Sequence, residues 1–179
     1  MLRFTYGLMN AGKSCLLISL YHALLQNQAG RVGVFKSIVD DRAANAISTR
    51  APLELATTAV IHPATDLDAL CGDFDYILID EVQFITVSQV EQLRTLADAG
   101  KSVYCFGLST NWKSELFVAS RRLFELADEI VKAGVIPNMC THCRQRPAIL
   151  HRKLTATSAE VEIGGFEVYQ WRCWTCFRE

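Results

Sequence analysis

The chain has 179 residues, 50% of them hydrophobic and 21% charged, with a formal net charge of −1. That length buries one good core with room for a small satellite domain, in the ordinary composition of a globular protein. The near-neutral balance lacks the basic excess of a bulk nucleic-acid binder, and the longest apolar runs, such as Tyr76-Ile77-Leu78-Ile79, are strand-sized and far short of a membrane span.

In chain order, Leu2–Tyr6 predicts a strand entered directly from Met1, an arrangement expected of a cytoplasmic protein without a signal peptide. A glycine-bearing turn follows. Over 13–28, Leu16, Leu17, Leu20, Ala23 and Leu24 recur at helical spacing, and Ala29-Gly30 is the predicted stop. Residues 32–36 and 76–80 predict two further strands. A helix over 87–99 should end at Gly100, followed by a strand over 102–106 and a helix over 116–127. Strands alternating with helices imply a parallel sheet covered on both faces, an α/β class. Composition changes after about residue 134, where helical periodicity ends and paired cysteines begin. The expected organisation is a nucleotide-binding domain over 1–133 and a small metal-held appendage over 134–179. Charge is even across the two, with 12 Lys/Arg and 15 Asp/Glu in the first and 6 and 4 in the second.

Gly7-Leu8-Met9-Asn10-Ala11-Gly12-Lys13-Ser14 matches G-x-x-x-x-G-K-[ST] in full, between a predicted strand and a predicted helix. Glycines let the backbone wrap phosphate oxygens with its N–H groups, and the following helix N-terminus favours an anion. Lys13 is then the group for the β/γ-phosphates and Ser14 a ligand for Mg²⁺. The apolar run 76–79 ends in Asp80-Glu81. A buried strand delivering Asp80 to its C-terminal end brings that carboxylate to the loop, where it can serve Mg²⁺. Glu81 is the candidate general base for an attacking hydroxyl.

Of seven cysteines, Cys15, Cys71 and Cys105 lie among apolar residues and read as buried free thiols. Cys140/Cys143 and Cys173/Cys176 form two CxxC pairs with 29 residues between them. Four thiolates complete the tetrahedron that Zn²⁺ prefers in a closed structural site, so His142 and His151 read as non-ligands. The long connection pinned at both ends suits a lid over a ligand. Trp112, Phe117, Phe166 and Tyr169 could stack on a base, although isolated aromatics are more often simply core.

Taken together, these segments resemble the zinc-containing thymidine kinase family, P-loop proteins related to the RecA-like group. The resemblance rests on the loop Gly7 to Ser14 and on Asp80-Glu81-Val82-Gln83-Phe84. It also rests on Asp40-Asp41-Arg42 with Ile47-Ser48-Thr49-Arg50, on Gly107-Leu108-Ser109-Thr110-Asn111-Trp112, on the four cysteines, and on Ile163-Gly164-Gly165 with Tyr169 four residues before Cys173. It implies transfer of phosphate from ATP to the 5′-hydroxyl of thymidine, with Glu81 as base, Ser14 and Asp80 on Mg²⁺, Lys13 on the phosphates and Gln83 close to ATP. Met9, Leu108, Trp112, Phe117 and Tyr169 would line the base and sugar pocket. A loop from about Arg144 to Arg172 would close on the base through Leu150, Glu160, Val161, Glu162, Ile163 and Gly164. The resemblance further implies a homotetramer, while the charge balance and the short apolar runs lead us to expect no nucleic-acid or membrane partner. Leu8, Ala11, Cys15, Ala51-Pro52, Trp112 and the segment Lys113-Ser114-Glu115-Leu116 depart from the usual family pattern without removing a reacting group, and the bulk of Trp112 bears on base choice. The rival readings are a kinase for deoxyuridine or another pyrimidine nucleoside, a non-catalytic ATP-binding zinc module, and a RecA-like ATPase motor.

Overall fold

The computed structural model describes residues 1–37, 46–48, 53–134, 138–155 and 168–179. The expectations placed on Asp40, Asp41, Arg42, Thr49, Arg50, Ala51, Pro52, Glu160, Val161, Glu162, Ile163, Gly164, Gly165 and Phe166 lie outside these residues. The described chain runs β1 (Leu2–Tyr6), α1 (Lys13–Gln26), β2 (Val32–Ser37), β3 (Ala46–Ser48), β4 (Glu54–Ala56), β5 (Ala59–Ile61), α2 (Leu67–Cys71) and β6 (Tyr76–Asp80). It continues through a short 3-10 turn (Val82–Phe84), α3 (Val87–Asp98), β7 (Ser102–Gly107), α4 (Val118–Leu126), β8 (Glu129–Lys132), β9 (Leu150–Lys153), β10 (Tyr169–Arg172) and α5 (Trp174–Arg178).

Six strands form one sheet in the order β5-β2-β6-β7-β1-β8, and every neighbouring pair is parallel. The run Ile77, Leu78, Ile79 is continuously apolar because both faces of β6 are covered. Leu78 points, with Val34 and Phe106, to the face where α1 lays Leu17, Ile18 and Leu24. Ile77 and Ile79 point the other way, with Phe4, Phe35 and Val103, against Val90 and Leu93 of α3 and Leu123 of α4. Each core sets apolar helix stripes, from α1 on one side and from α3 and α4 on the other, on alternate strand residues.

Helix ends follow local chemistry. Thr86 accepts from the Gln89 N–H while the Gln89 side chain accepts from the Thr86 N–H, a capping box that starts α3. Gly100, at φ 93, ends it, as the sequence predicts. Helix α1 stops slightly before its predicted limit: Gln28 adopts φ 49 and its N–H reaches the Leu25 carbonyl, so the left-handed turn precedes Ala29-Gly30. Helix α4 starts at Val118 rather than 116, because Leu116 forms an antiparallel bridge with Thr110.

Beyond β8, β9 and β10 pair antiparallel, with His151 opposite Trp171 and Leu150 opposite Arg172. Strand β10 runs directly into Cys173, and Arg144, at φ 55, closes the turn after Cys143 by donating its N–H to the Cys140 carbonyl. No helix among the described residues is long and apolar enough to cross a membrane.

Candidate active site

Strands β6, β7 and β1 lie side by side and parallel, so their C-terminal ends emerge together. The glycine loop leaves β1, the Asp80-Glu81 pair leaves β6, and Leu108 follows β7. Ligand sites of open parallel sheets form at this edge. Within the loop, Asn10 (φ 60) and Gly12 (φ 83) are left-handed, and the chain then enters α1. Alternation of this kind gathers backbone N–H groups into an anion-binding concavity. The buried Lys13 ammonium donates to the Leu8 carbonyl at 2.8 Å and the Gly7 carbonyl at 3.4 Å. Burial holds its pKa below the ordinary lysine value, opposed by the charges of Glu81 and Asp80.

The Ser14 hydroxyl donates to Asp80 Oδ2 at 2.8 Å, and the Glu81 N–H donates to Asp80 Oδ1 at 3.0 Å. Asp80 is 3% exposed. Burial, and then the neighbouring Glu81 charge, push its carboxyl up to about 6, against the pull of the Ser14 hydrogen bond and Lys13. A buried carboxylate paired with a hydroxyl beside a phosphate-binding loop is the donor set that Mg²⁺ takes in P-loop sites.

Glu81 leaves the strand with φ 55 and ψ 35, a left-handed conformation unusual for a residue with a side chain. The Ser37 hydroxyl, at the end of β2, donates to the Glu81 carbonyl. Gln83 Nε2 donates to Glu81 Oε2 at 2.6 Å, while Gln83 Oε1 accepts from the Leu108 N–H at 2.9 Å. Ser120 of α4 in turn donates to the Leu108 carbonyl at 2.6 Å. Gly107 makes room for this network, because a Cβ there would stand 2.6 Å from Gln83 Oε1. The sequence reading sets Gln83 beside ATP; in the fold its amide joins Glu81 to Leu108.

The expected pocket residues come from several elements. Phe117 packs edge-on against Phe84 with ring centroids 5.8 Å apart. Trp112 has Lys113 Nζ and Lys153 Nζ each 5.4 Å from its ring centroid, which brings it against β9. Tyr169 lies edge-on to His151 at 6.5 Å. The Met9 N–H donates to His151 Nε2 at 2.8 Å. Alternation along β9 puts His151 and Lys153, which reach Met9 and Trp112, on one face and the buried Leu150 on the other.

The four cysteine sulfurs of Cys140, Cys143, Cys173 and Cys176 lie within 4.8 Å of one another, with Cys143 and Cys173 at 3.9 Å. A tetrahedron with Zn–S bonds of about 2.3 Å has edges of about 3.8 Å, so the cluster fits Zn²⁺. His151 faces the glycine loop rather than this cluster, and His142 gathers with Cys176 and Glu179 at its exposed edge. Ser37, Ser120 and His151 are the residues that the sequence did not single out for the site. Each acts on a partner distant in the chain, and near His151 the sequence offered only the CxxC spacing and the family-like loop from about Arg144 to Arg172, neither of which points to the imidazole.

The chain matches the thymidine kinase family over residues 1–177. It is 35% identical over 144 residues to a thymidine kinase of Encephalitozoon cuniculi, covering 78% of this chain and 67% of that one. It is 30% identical over 174 residues to a thymidine kinase of Pseudothermotoga lettingae, covering 97% and 92%. A thymidine kinase of Rhizobium meliloti is 32% identical over 187 residues, covering 96% and 93%. Among solved structures, a Pif1 helicase from Candida albicans matches at a TM-score of 0.44 and 14% identity over 76% of this chain and 36% of that one, a likeness too remote to bear on the site. A family match spanning nearly the whole chain, with relatives aligned over nine-tenths of their own length, leaves one assignment: the chain belongs to the thymidine kinase family.

Proposed function

We propose that the chain transfers the γ-phosphoryl group of ATP to the 5′-hydroxyl of thymidine, yielding ADP and dTMP. The observation that carries this reading is the convergence at neighbouring strand ends of Lys13 in its glycine loop, Ser14 bonded to Asp80, and Glu81 held by Gln83. The loop binds the phosphates through amides other than those of Gly7, Met9 and Ala11, which bond to Gly107, His151 and Leu8, together with the N-terminus of α1, and Lys13 moves from the Leu8 and Gly7 carbonyls onto the β/γ-oxygens. Ser14 and Asp80 would hold Mg²⁺, which supplies neutralising charge at the phosphates. Glu81 takes the proton of the 5′-hydroxyl as its oxygen attacks phosphorus. Gln83 engages Oε2 of that carboxylate, so Oε1 is the oxygen offered to the hydroxyl.

Met9, Leu108, Trp112, Phe117 and Tyr169 surround base and sugar, and residues 160–164 of the C-terminal lobe contact the base; Leu150, buried on the far face of β9, supports that lobe rather than the base. Exclusion of water favours the nucleoside hydroxyl as acceptor. Cys140, Cys143, Cys173 and Cys176 would hold a structural Zn²⁺, which would supply the cross-link of a small lobe over 134–179 beside the ATP domain over 1–133. The protein works as a cytoplasmic homotetramer without nucleic-acid or membrane partners.

The test is ADP release with ATP and Mg²⁺ on separate addition of thymidine, deoxyuridine, deoxycytidine and deoxyadenosine. Release dependent on thymidine, with dTMP as the second product, is the expected result. A preference for deoxyuridine would move the base specificity, release without nucleoside would make the protein an ATPase, and no release from zinc-loaded protein would end the enzymatic reading.

A further inference from the structure

His151 is a buried histidine on a small appended hairpin, yet its imidazole bonds away from that hairpin, to the glycine loop. It accepts the Met9 N–H through Nε2 at 2.8 Å, across 142 residues of sequence. Met9 directly precedes Asn10, whose left-handed conformation, with that of Gly12, gives the loop its anion-binding shape. We infer that His151 is a positioning residue that ties the C-terminal hairpin to the phosphate loop and holds the peptide ahead of Asn10 in its nucleotide-binding conformation. The inference rests on the glycine loop binding nucleotide, as proposed above.

The acceptor must be neutral, with its proton on Nδ1. Burial first, and then the nearby Lys13 ammonium, lower the imidazole pKa to about 4, so the neutral form is the one the fold holds near pH 7. The groups around it suit that role: Tyr169 lies edge-on at 6.5 Å, and Trp171 pairs opposite across the hairpin. The hairpin is anchored at one end, because β10 runs straight into Cys173 of the four-cysteine cluster. The hairpin therefore presents a preset acceptor to a loop that owes its shape to left-handed residues, and preorganisation of this kind lowers the ordering cost of binding.

The experiment compares His151→Phe, which keeps a flat ring without an acceptor, with His151→Gln, whose amide oxygen reaches the position of Nε2. Mg²⁺·ADP binding is measured by calorimetry on zinc-loaded protein, beside zinc content and melting temperature. The expected result is about tenfold weaker binding for His151→Phe, the loss that follows from an unmade buried hydrogen bond. His151→Gln should bind within about threefold of the parent, with zinc retained in both. Equal binding by His151→Phe and the parent, or equal weakness in the two variants, would overturn the tether. ¹⁵N-histidine spectra of the unaltered protein need no variant to fold: the Nδ1–H tautomer is expected at pH 7, and an Nε2–H or charged ring would also overturn it. ADP binding is read without thymidine, so a parent that binds ADP but phosphorylates no nucleoside would sink the kinase reading while still deciding the tether.

Discussion

Asp80 is predicted to hold the site at a measurable expense of stability, and Asp80→Asn exposes it. The carboxyl sits 3% exposed between the Ser14 hydroxyl and the Glu81 N–H, and burial raises it from 3.8 to about 6. At about 1.4 kcal/mol per pH unit, the ionised form costs the folded chain on the order of 3 kcal/mol above pH 6. The sign follows from proton binding: the folded carboxyl holds its proton more tightly than the unfolded one, so stability is greatest below the unfolded value and is lost as pH rises through about 6. An asparagine keeps an oxygen for the Glu81 N–H and turns its NH₂ toward the Ser14 oxygen, forfeiting about 1 kcal/mol of hydrogen bonding to a charged acceptor. The net expectation at pH 8, without added Mg²⁺, is a variant more stable by about 2 kcal/mol, or roughly 4–8 °C in melting temperature for a chain of this size.

The assay is urea unfolding of parent and variant at pH 8 and pH 5. Linkage makes the variant's advantage smaller at the lower pH, by about 1 kcal/mol, because the parent carboxyl is by then largely protonated. Adding Mg²⁺·ADP should reverse the order, stabilising the parent and leaving the variant nearly unmoved. A variant less stable than the parent at pH 8, or an advantage unchanged between pH 8 and pH 5, would refute the argument that buried charge is kept at Asp80 for ligand binding.

Two other outcomes follow from the same geometry. Glu81→Gln should retain the melting temperature and Mg²⁺·ADP binding while thymidine phosphorylation falls by about 100-fold or more, the usual scale for losing a general base; turnover near the parent's would remove Glu81 from that role. Cys173→Ser should lose zinc by elemental analysis and open 138–179 to protease while the parallel sheet keeps its circular dichroism, since a structural zinc site carries its own folding energy; a zinc-free variant with an unchanged cleavage pattern would separate the metal from the hairpin.

How much of this was legible in the sequence depends on the distance over which each signal acts. The glycine loop was legible because strand, turn and helix follow one another within a short span, so composition and order encode it locally. Asp80 was legible because an apolar run ending in acids marks a buried strand emerging at an edge. The cysteines were legible because chelate spacing is itself the chemistry. Strand β8 was not, since only one of its four residues is less than exposed and it presents no alternation to read. The start of α4 was misread because helical spacing continued back to Leu116, where bridging to Thr110 prevails over propensity. His151, Ser37 and Ser120 were invisible for a different reason. Each is an ordinary residue whose importance lies in a hydrogen bond to a backbone group more than ten positions away.

The adjacency of Asp80 and Glu81 explains why such supports exist. Consecutive residues on a strand point to opposite faces, so two neighbouring acids could not both address one site if β6 simply continued. The chain resolves this by ending the strand at Asp80 and turning Glu81 into the left-handed region, which costs a residue with a side chain about 1–2 kcal/mol. Glycine would remove that strain and with it the carboxylate. The burden is therefore carried elsewhere: Ser37 fixes the Glu81 carbonyl, Gln83 fixes its carboxylate, and Leu108 with Ser120 fixes Gln83. Strain at one functional residue thus dictates polar groups on three other elements, β2, the turn after β6 and α4. None of those partners bears a reacting group, which is why a search for chemistry in the sequence finds the two acids, gives Gln83 and Leu108 to the ligands, and passes over Ser37 and Ser120.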